Sequence, residues 1–318
     1  MPDYDVLVLG EINVDLILSG GARPAFGQAE KVIDDAALTP GGSGVIFACG
    51  CARLGLRTAY CGVVGDDLFG RFMLDSLRQR GVDPCGVQVR ADQKTGLSVI
   101  LNDTQDGAYD RAILTHLGAI NALRAEMVDR ALLAHTRHVH VTSYFLQHLL
   151  QPGLAELLDE ARRNGATVSM DTNWDPDEQW NHGLAEALAQ TDVFLPNEQE
   201  ALAIAARPEL EQALDALAAQ IPTVAVKRGA DGALCRQGTK RLADPGFTVE
   251  VVDTTGAGDS FDAGFVYGYT QGWSLADTLA LACACGALST RAAGGTPTQA
   301  TLDDAQQLIR QRRQVQFR

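Results

Sequence analysis

Short apolar segments rich in valine alternate along the chain with longer amphipathic segments, a pattern typical of parallel strands connected by helices. The segments predicted as strands are VLVLG (6–10), TAYCGVVG (58–65), HVHVTS (138–143), TVSMD (167–171), DVFLP (192–196) and TVAVK (223–227). Residues 68–81 predict a helix that ends at Gly81, with one face made of Phe69, Phe72, Met73, Ser76 and Leu77. We therefore expect an α/β fold with a mostly parallel sheet flanked by helices.

Three apolar segments depart from this alternation, because no full helix separates the last two: NVDLILSG (13–20), TGLSVILN (95–102) and DRAILTH (110–116). They predict a small separate β-sheet, with a hairpin turn at TQDGAY (104–109). Built from about 12–39 and 95–117, this sheet would form a lid over the carboxyl ends of the main strands. We expect residues 1–318 to form one domain with this lid, whose exposed edges would pair in a homodimer.

Charge and hydropathy narrow the possible partners. The formal net charge of -14 over 318 residues disfavours nucleic acid and anionic membranes, although a helix N-terminus can still bind a small phosphate. No run of about eighteen apolar residues predicts a transmembrane helix. The acidic start MPDYDVLVLG lacks the pattern of a secretory signal, so a cytoplasmic protein is expected.

Cysteine and histidine positions raise the question of a metal site. The pairs Cys49/Cys51 and Cys283/Cys285 lie in apolar stretches without a CxxC or histidine partner nearby, which predicts buried, reduced thiols. His138 and His140 share one face of a predicted strand, a spacing compatible with two metal ligands or with packing. We favour packing, because this strand is expected in the middle of the sheet.

The stretch VVDTTGAGDSFDAGF (251–265) carries the clearest chemical signal. The turn Gly256-Ala257-Gly258 precedes a helical stripe, so the first free amides of that helix would form an anion hole. Beside it, Asp259 has two interpretations that these residues alone leave open. It would act as a general base in phosphoryl transfer, or it would cap the helix.

This stretch also resembles the motif D-T-x-G-A-G-D-x-F of the PfkB, or ribokinase-like, carbohydrate kinases. Upstream, PGGSGVIFACGCARLG and GVVGDDLFGR resemble the first signature of that family, GG-x-G-x-N-x-A followed by G-x-x-G-x-D-x-x-G. The two motifs stand in the family's order, and the resemblance extends over nearly the whole chain. It implies a ribokinase-like fold and ATP-dependent phosphorylation of a primary hydroxyl on a small sugar or related polyol.

The resemblance also implies roles for individual residues. Asp259 corresponds to the catalytic base, and the anion hole to Gly256, Ala257 and Gly258. Asp253 and Thr255 correspond to a monovalent-cation site, expected to hold K⁺. The residues implied on the ATP side are Asn197, Glu200, Lys227 and Gly229, with Glu200 also holding Mg²⁺ indirectly. Lys227 alternatively reads as a solvated lysine at the end of a strand.

On the substrate side, the matching motif positions are Asn13, Asp15, Gly41 and Gly42. Asp171 and Asn173 follow a predicted strand and are expected to face the same crevice. Arg111 on the lid is a further candidate anion ligand, or a structural residue. Two departures from the family pattern bear on the substrate. Ile46 replaces the family's asparagine, which counts against ribose. Asp175 stands near the position where sugar-acid kinases often have an arginine, which counts against a sugar acid.

Other classes of protein fit the sequence less well. No GxxxxGK[ST] or GxGxxG motif supports a P-loop or a dinucleotide fold. Ser260 in GDSF lacks the downstream histidine of a serine hydrolase. Two alternatives remain: a nucleoside kinase with the same fold, and a sensor that binds sugar and nucleotide without turnover.

Overall fold

A nine-stranded sheet forms the centre of the computed structural model, which describes residues 2–105 and 108–316. Across this sheet the strands are β13 (Lys240–Asp244), β12 (Ala233–Gln237), β11 (Thr223–Lys227), β10 (Val193–Phe194), β9 (Thr167–Met170), β8 (His138–Val141), β1 (Val6–Leu9), β4 (Thr58–Gly65) and β5 (Val82–Arg90). Neighbouring strands from β11 to β5 are parallel, whereas β12 and β13 are antiparallel additions at one edge. All six predicted strands are present, and the mostly parallel α/β fold is confirmed.

A second, four-stranded sheet stands apart from the central one. Its strands are ordered β3 (Asp35–Gly41), β2 (Asn13–Ser19), β6 (Gly96–Gln105) and β7 (Ala108–His116), with β2 and β6 parallel and the outer pairs antiparallel. The three predicted strands are confirmed, and β3 is an addition that the sequence pattern did not reveal. The predicted turn at 104–109 falls partly on residues 106–107, which lie outside the described residues.

Helices cover the large sheet. In the described part of the chain they are α1 (Ser43–Arg53), α2 (Leu68–Gln79), α3 (Arg130–Ala134), α4 (Leu154–Arg163), α5 (Leu184–Leu188), α6 (Glu198–Ala205), α7 (Leu210–Ala218), α8 (Ala257–Thr270), α9 (Leu275–Ser289) and α10 (Leu302–Gln316). The predicted helix is α2, which begins where the Asp67 side chain accepts a hydrogen bond from Gly70 N–H. It stops before Gly81, which has a positive φ of 79°.

The core lies on both faces of the central sheet. Val6 and Val8 of β1 belong to one apolar cluster and Leu7 and Leu9 to the other, because successive residues of a strand point to opposite faces. Strands covered on both sides have continuous apolar runs, as the sequence of β1 does.

The cysteine and histidine interpretations are largely confirmed. Cys49, Cys51, Cys283 and Cys285 are buried free thiols, whereas Cys85 is exposed. His138 and His140 are buried, and both hydrogen-bond the Ser169 hydroxyl at 2.7 Å. Burial lowers the pKa of His138 to about 3, so the imidazole is neutral. Both histidines are therefore packing residues of the sheet.

Candidate active site

The predicted site residues meet at the carboxyl edge of the central sheet. Glu11, Ser143, Asp171 and Lys227 lie at or just beyond the ends of β1, β8, β9 and β11. The N-termini of α1, α6 and α8 lie at the same edge, where the chain leaves the carboxyl ends of the strands. This edge thus combines fixed carboxylates with the amide ends of helices.

A tight turn at Gly256 starts α8. Gly256 is the N-cap with a φ of 72°, and no side chain caps this helix, so Asp259 is not its N-cap. A Cβ at position 256 would lie 2.8 Å from both Gly295 Cα and Ile46 Cγ2. The position therefore requires glycine for its conformation and for its packing. The buried Ile46 side chain packs against this turn.

Asp259 lies in the first turn of α8 and is only 8% exposed. Burial raises the pKa of Asp259 well above its usual range, and the negative charges of Asp171 and Glu11 act in the same direction. Lys227 and a hydrogen bond from Ser43 act in the opposite direction. The result is a basic carboxylate beside free helix amides, which suits a group that accepts a proton.

Lys227 is not solvated, so the strand-end alternative is wrong. Its ammonium donates to Asp171 Oδ2 at 2.7 Å and to the two carboxylate oxygens of Asp262 at 3.0 and 3.3 Å. Burial opposes its charge, but the carboxylates outweigh burial and raise the pKa of Lys227. Oxygens of Asp171, Asp259 and Asp262 lie within 4.8 Å of one another, and the lysine is the cation that this cluster already holds.

Asp262 was missed by the sequence analysis, which considered only Asp259 as a site carboxylate in this helix. The residue is 1% exposed and lies three positions after Asp259. Residues three apart share a helix face, so the spacing D-x-x-D carried a signal for a second carboxylate at the same site.

Asn197 and Glu200 form a capping box at the start of α6. The Asn197 side chain accepts from Glu200 N–H at 2.9 Å, and Glu200 Oε2 accepts from Asn197 N–H at 2.9 Å. Glu200 is 3% exposed, and burial raises the pKa of its carboxyl to about 7.

Asn13 and Asp15 lie on the smaller sheet, facing the same edge. Asn13 Nδ2 donates to Asp15 Oδ1 at 2.8 Å, and burial raises the pKa of Asp15 to about 7. A Cβ on Gly41 would lie 2.2 Å from Asp15 Oδ1, so a glycine is required opposite this carboxyl. Gly42, with a φ of 91°, is the N-cap of α1.

Asn173 belongs to a buried polar network that sequence reasoning did not identify. Its Nδ2 donates to Ser43 Oγ at 2.8 Å and to Ser143 Oγ at 2.7 Å. Ser143 Oγ and Ser43 N–H in turn donate to Glu11 Oε1, at 2.8 and 2.7 Å. No local pattern reveals this network, because its members are brought together from distant parts of the chain.

Arg111 of β7 joins the smaller sheet to the turn before α8. Its Nη1 donates to Thr255 Oγ1 at 3.2 Å, and Thr255 Oγ1 donates to Asp253 Oδ1 at 2.8 Å. Asp253 also accepts from the amides of Thr255 and Gly294, at 2.9 and 2.8 Å. The predicted cation-site residues are thus held together by hydrogen bonds next to β7.

A cleft of about 400 Å³ opens beside the first turn of α8. Lys227, Gly229 and Gly258 line its polar end, and its apolar walls include Phe247, Val249, Val251 and Phe261. The predicted nucleotide residues Lys227 and Gly229 therefore face one cavity together with the anion-hole turn.

The predicted residues thus form one continuous site. Glu11 acts on the pKa of both Asp15 and Asp259, and Lys227, which also acts on Asp259, lines the cleft. Glu11, Ser43, Ser143 and Asp262 are additions to the predicted set. No helix in the described ranges is long and apolar enough to cross a bilayer.

Comparisons with known proteins agree with this arrangement. The pfkB family carbohydrate kinase model matches residues 3–302. A fructokinase from Klebsiella pneumoniae is 32% identical over 96% of this chain and 99% of its own. An ATP-dependent ribose-1-phosphate kinase from Halopiger xanaduensis is 33% identical over 89% of this chain and 91% of its own.

Among solved structures, a candidate ribokinase II from E. coli in complex with ATP and Mg²⁺ superposes with a TM-score of 0.85. It is 26% identical in sequence, and the match covers 97% of this chain and 99% of that one. Family, relatives and fold agree, and the chain therefore belongs to the PfkB family of carbohydrate kinases, which are ATP-dependent enzymes.

Proposed function

We propose that the protein transfers the γ-phosphoryl group of ATP to a primary hydroxyl of a small, uncharged sugar or polyol, with Asp259 as the general base. The observation that carries this proposal is the position of Asp259, a buried carboxylate of raised pKa in the first turn of α8. A carboxylate there can take the hydroxyl proton while the amides of residues 256–258 stabilise the phosphoryl charge.

Proton transfer, acceptor binding and nucleotide binding are assigned to different residues of the site. Asp259 accepts the proton as the acceptor oxygen attacks phosphorus, and the bond from phosphorus to the bridging oxygen of ADP breaks. Asn13 and Asp15 hydrogen-bond the acceptor and orient it. Gly41 leaves room for the Asp15 carboxylate. The cleft lined by Gly229 and Phe247 holds the nucleotide.

Magnesium fits the donor set at the start of α6. Glu200 and Asn197 offer carboxylate and amide oxygens, the ligand types that Mg²⁺ prefers. Burial makes the Glu200 charge costly, and a nearby cation would favour its ionised form. Both side chains are already paired with each other, which favours contact through water. Bound there, Mg²⁺ would neutralise charge on the phosphates.

We also propose a K⁺ site at Asp253 and Thr255. The Asp253 carboxylate is held in place by amides on two segments, so it is preorganised for a cation. The buried Thr296 hydroxyl, two residues after Gly294, has no hydrogen-bond partner among the described residues. An unpaired buried oxygen two residues from the amide that donates to this carboxylate supports an additional ligand.

Charge around the acceptor side supports an uncharged substrate. The negative charges of Glu11 and Asp253 raise the pKa of Asp15, and the positive charge of Arg111 lowers it. Arg111 donates a hydrogen bond to Thr255, which favours a structural role beside the lid over binding of an anionic substrate. A phosphorylated sugar or a sugar acid would meet net negative charge at this site.

The smaller sheet supports a proposal about the whole chain. We infer that residues 1–318 form one kinase domain in which this sheet is a lid that excludes water. Its outer strand β7 exposes Ile113 and Leu114, with relative exposures of 50% and 65%. An apolar edge strand of this kind favours pairing with the lid of a second copy.

An ADP-release assay with MgATP across hexoses, pentoses, sugar acids and nucleosides tests the function. We expect turnover with one uncharged sugar or polyol, and faster turnover in KCl than in choline chloride. A nucleoside as the best acceptor would establish the alternative activity within the same fold. Absence of turnover on every compound, with ATP binding intact, would favour a sensor and contradict the proposal.

A further inference from the structure

Lys227 is held by two buried carboxylates from different elements. Asp171 follows β9 and Asp262 lies in α8, and they are 2% and 1% exposed. An ammonium group has three N–H donors. Three hydrogen bonds hold the Lys227 ammonium, one to Asp171 Oδ2 and one to each oxygen of Asp262. Because the last two oxygens belong to one carboxylate, a single N–H can serve both. Two carboxylates thus fix two donors and leave the third for another acceptor.

The position of the ammonium indicates where that third donor is directed. Lys227 lines the cleft, and a Cβ at position 258 would lie 3.5 Å from its Nζ. Gly258 belongs to the first turn of α8, where free amides face an anion. The ammonium and these amides therefore lie at the same end of the cleft, where both can donate to one phosphate.

We propose that Asp262 is a positioning residue, which holds the Lys227 ammonium so that its third N–H donates to the terminal phosphate of ATP. This inference rests on the proposed phosphoryl transfer and adds a role for a carboxylate to which that proposal gives none. Asp171 alone leaves the ammonium free to turn about one bond, whereas two anchors from separate elements define its direction.

Binding of MgATP and MgADP, measured by calorimetry without any sugar, tests this assignment. Lys227→Met should weaken MgATP binding about tenfold or more, because a charge-assisted hydrogen bond to the terminal phosphate is lost. MgADP, which lacks that phosphate, should be affected much less. Asp262→Asn should weaken MgATP binding by a smaller factor, since it loosens the ammonium without removing it.

The double variant Lys227→Met/Asp262→Asn separates positioning from a direct effect. If Asp262 acts through Lys227, adding Asp262→Asn to Lys227→Met leaves MgATP affinity unchanged. An additional loss in the double variant, or equal losses for MgATP and MgADP, would overturn the assignment. Thermal unfolding of each variant identifies any that fails to fold, and Lys227→Arg, which keeps the charge, should retain more MgATP affinity than Lys227→Met.

Asp192→Asn is the matched control. Asp192 also pairs with a cation, Arg162, and its side chain is 14% exposed, but it precedes β10 at the opposite edge of the sheet. Its substitution should leave MgATP affinity unchanged. Because this binding assay needs no acceptor, the inference can fail while Asp259→Asn still abolishes turnover, and the two failures are distinguishable.

Discussion

Individual residues at this site differ in how far sequence reveals them. The motif around Asp259 places a glycine turn, a helix start and a carboxylate within a few residues, which predicts an anion hole, whereas the role of Asp259 as a base follows from the family resemblance. Asn173 lies 130 positions after Ser43 and 30 positions after Ser143, and only the folded sheet brings the three side chains into hydrogen-bond contact. Long-range polar networks have no local signature, and they were missed for that reason.

This network supports a prediction about the pH dependence of turnover. Asn173 uses both Nδ2 hydrogens on the two serines, so the Ser43 hydroxyl hydrogen remains for Asp259 and lowers the pKa of that carboxyl. Asp259 is active as a base when ionised, so activity is lost as pH falls through its pKa. Ser43→Ala removes the hydrogen bond, raises this pKa and should shift the acidic limb of kcat to higher pH.

Ser143→Ala is the control, since the Ser143 hydroxyl also accepts from Asn173 and belongs to the same network, but it is not among the main causes of the pKa shift of Asp259. Its acidic limb should coincide with that of the unmodified protein. Equal shifts in both serine variants would show that the network acts on Asp259 as a whole and not through the Ser43 hydroxyl.

At the level of elements, the central strands and α2 follow from hydrophobic periodicity, whereas β3, β5, β12 and β13 were not predicted. β3 (DAALTPG) is buried only at its last two residues, and β13 (KRLAD) carries charges, so neither has the apolar alternation of a buried strand. Pairing with neighbouring strands stabilises them instead, and such pairing is set by tertiary structure.

The two ends of α8 allow the function of its N-terminal turn to be separated from backbone strain. Gly256 at the start and Gly272 after the end both have positive φ, 72° and 69°. Alanine at either position should cost about 1 kcal/mol of stability for that conformation. Only Gly256→Ala also brings a Cβ against Gly295 and Ile46, whereas nothing lies within 4 Å at Gly272.

We therefore expect Gly256→Ala to lose MgATP affinity and turnover, and Gly272→Ala to lose stability alone. Chemical denaturation and nucleotide binding, measured on the same preparations, give the comparison. Unchanged nucleotide affinity in a folded Gly256→Ala protein would argue against an anion hole at this turn.

At the scale of the whole molecule, the sequence predicted a large, mostly parallel sheet and a separate small sheet, and both are present. What it could not provide was how the small sheet contacts the rest of the chain, such as the hydrogen bond from Arg111 to Thr255. Assembly is likewise a matter of surface shape, and pairing of lids between two copies stays a prediction.

Leu114→Glu tests that pairing, because the side chain is 65% exposed and its replacement spares the core. Light scattering after size exclusion should give the mass of two chains for the unmodified protein and of one chain for Leu114→Glu. Leu68→Glu places the same charge at a 69% exposed leucine of α2 and should remain a dimer. A single-chain mass for the unmodified protein would contradict pairing through the lid.

The central claim is that Asp259 accepts a proton from the sugar hydroxyl. Its most direct test is the kcat of Asp259→Asn on the acceptor identified in the ADP-release assay, with MgATP and sugar affinities measured alongside. We expect a folded protein that binds both substrates and loses about a hundredfold or more in kcat. A kcat within tenfold of the unmodified enzyme would contradict the account.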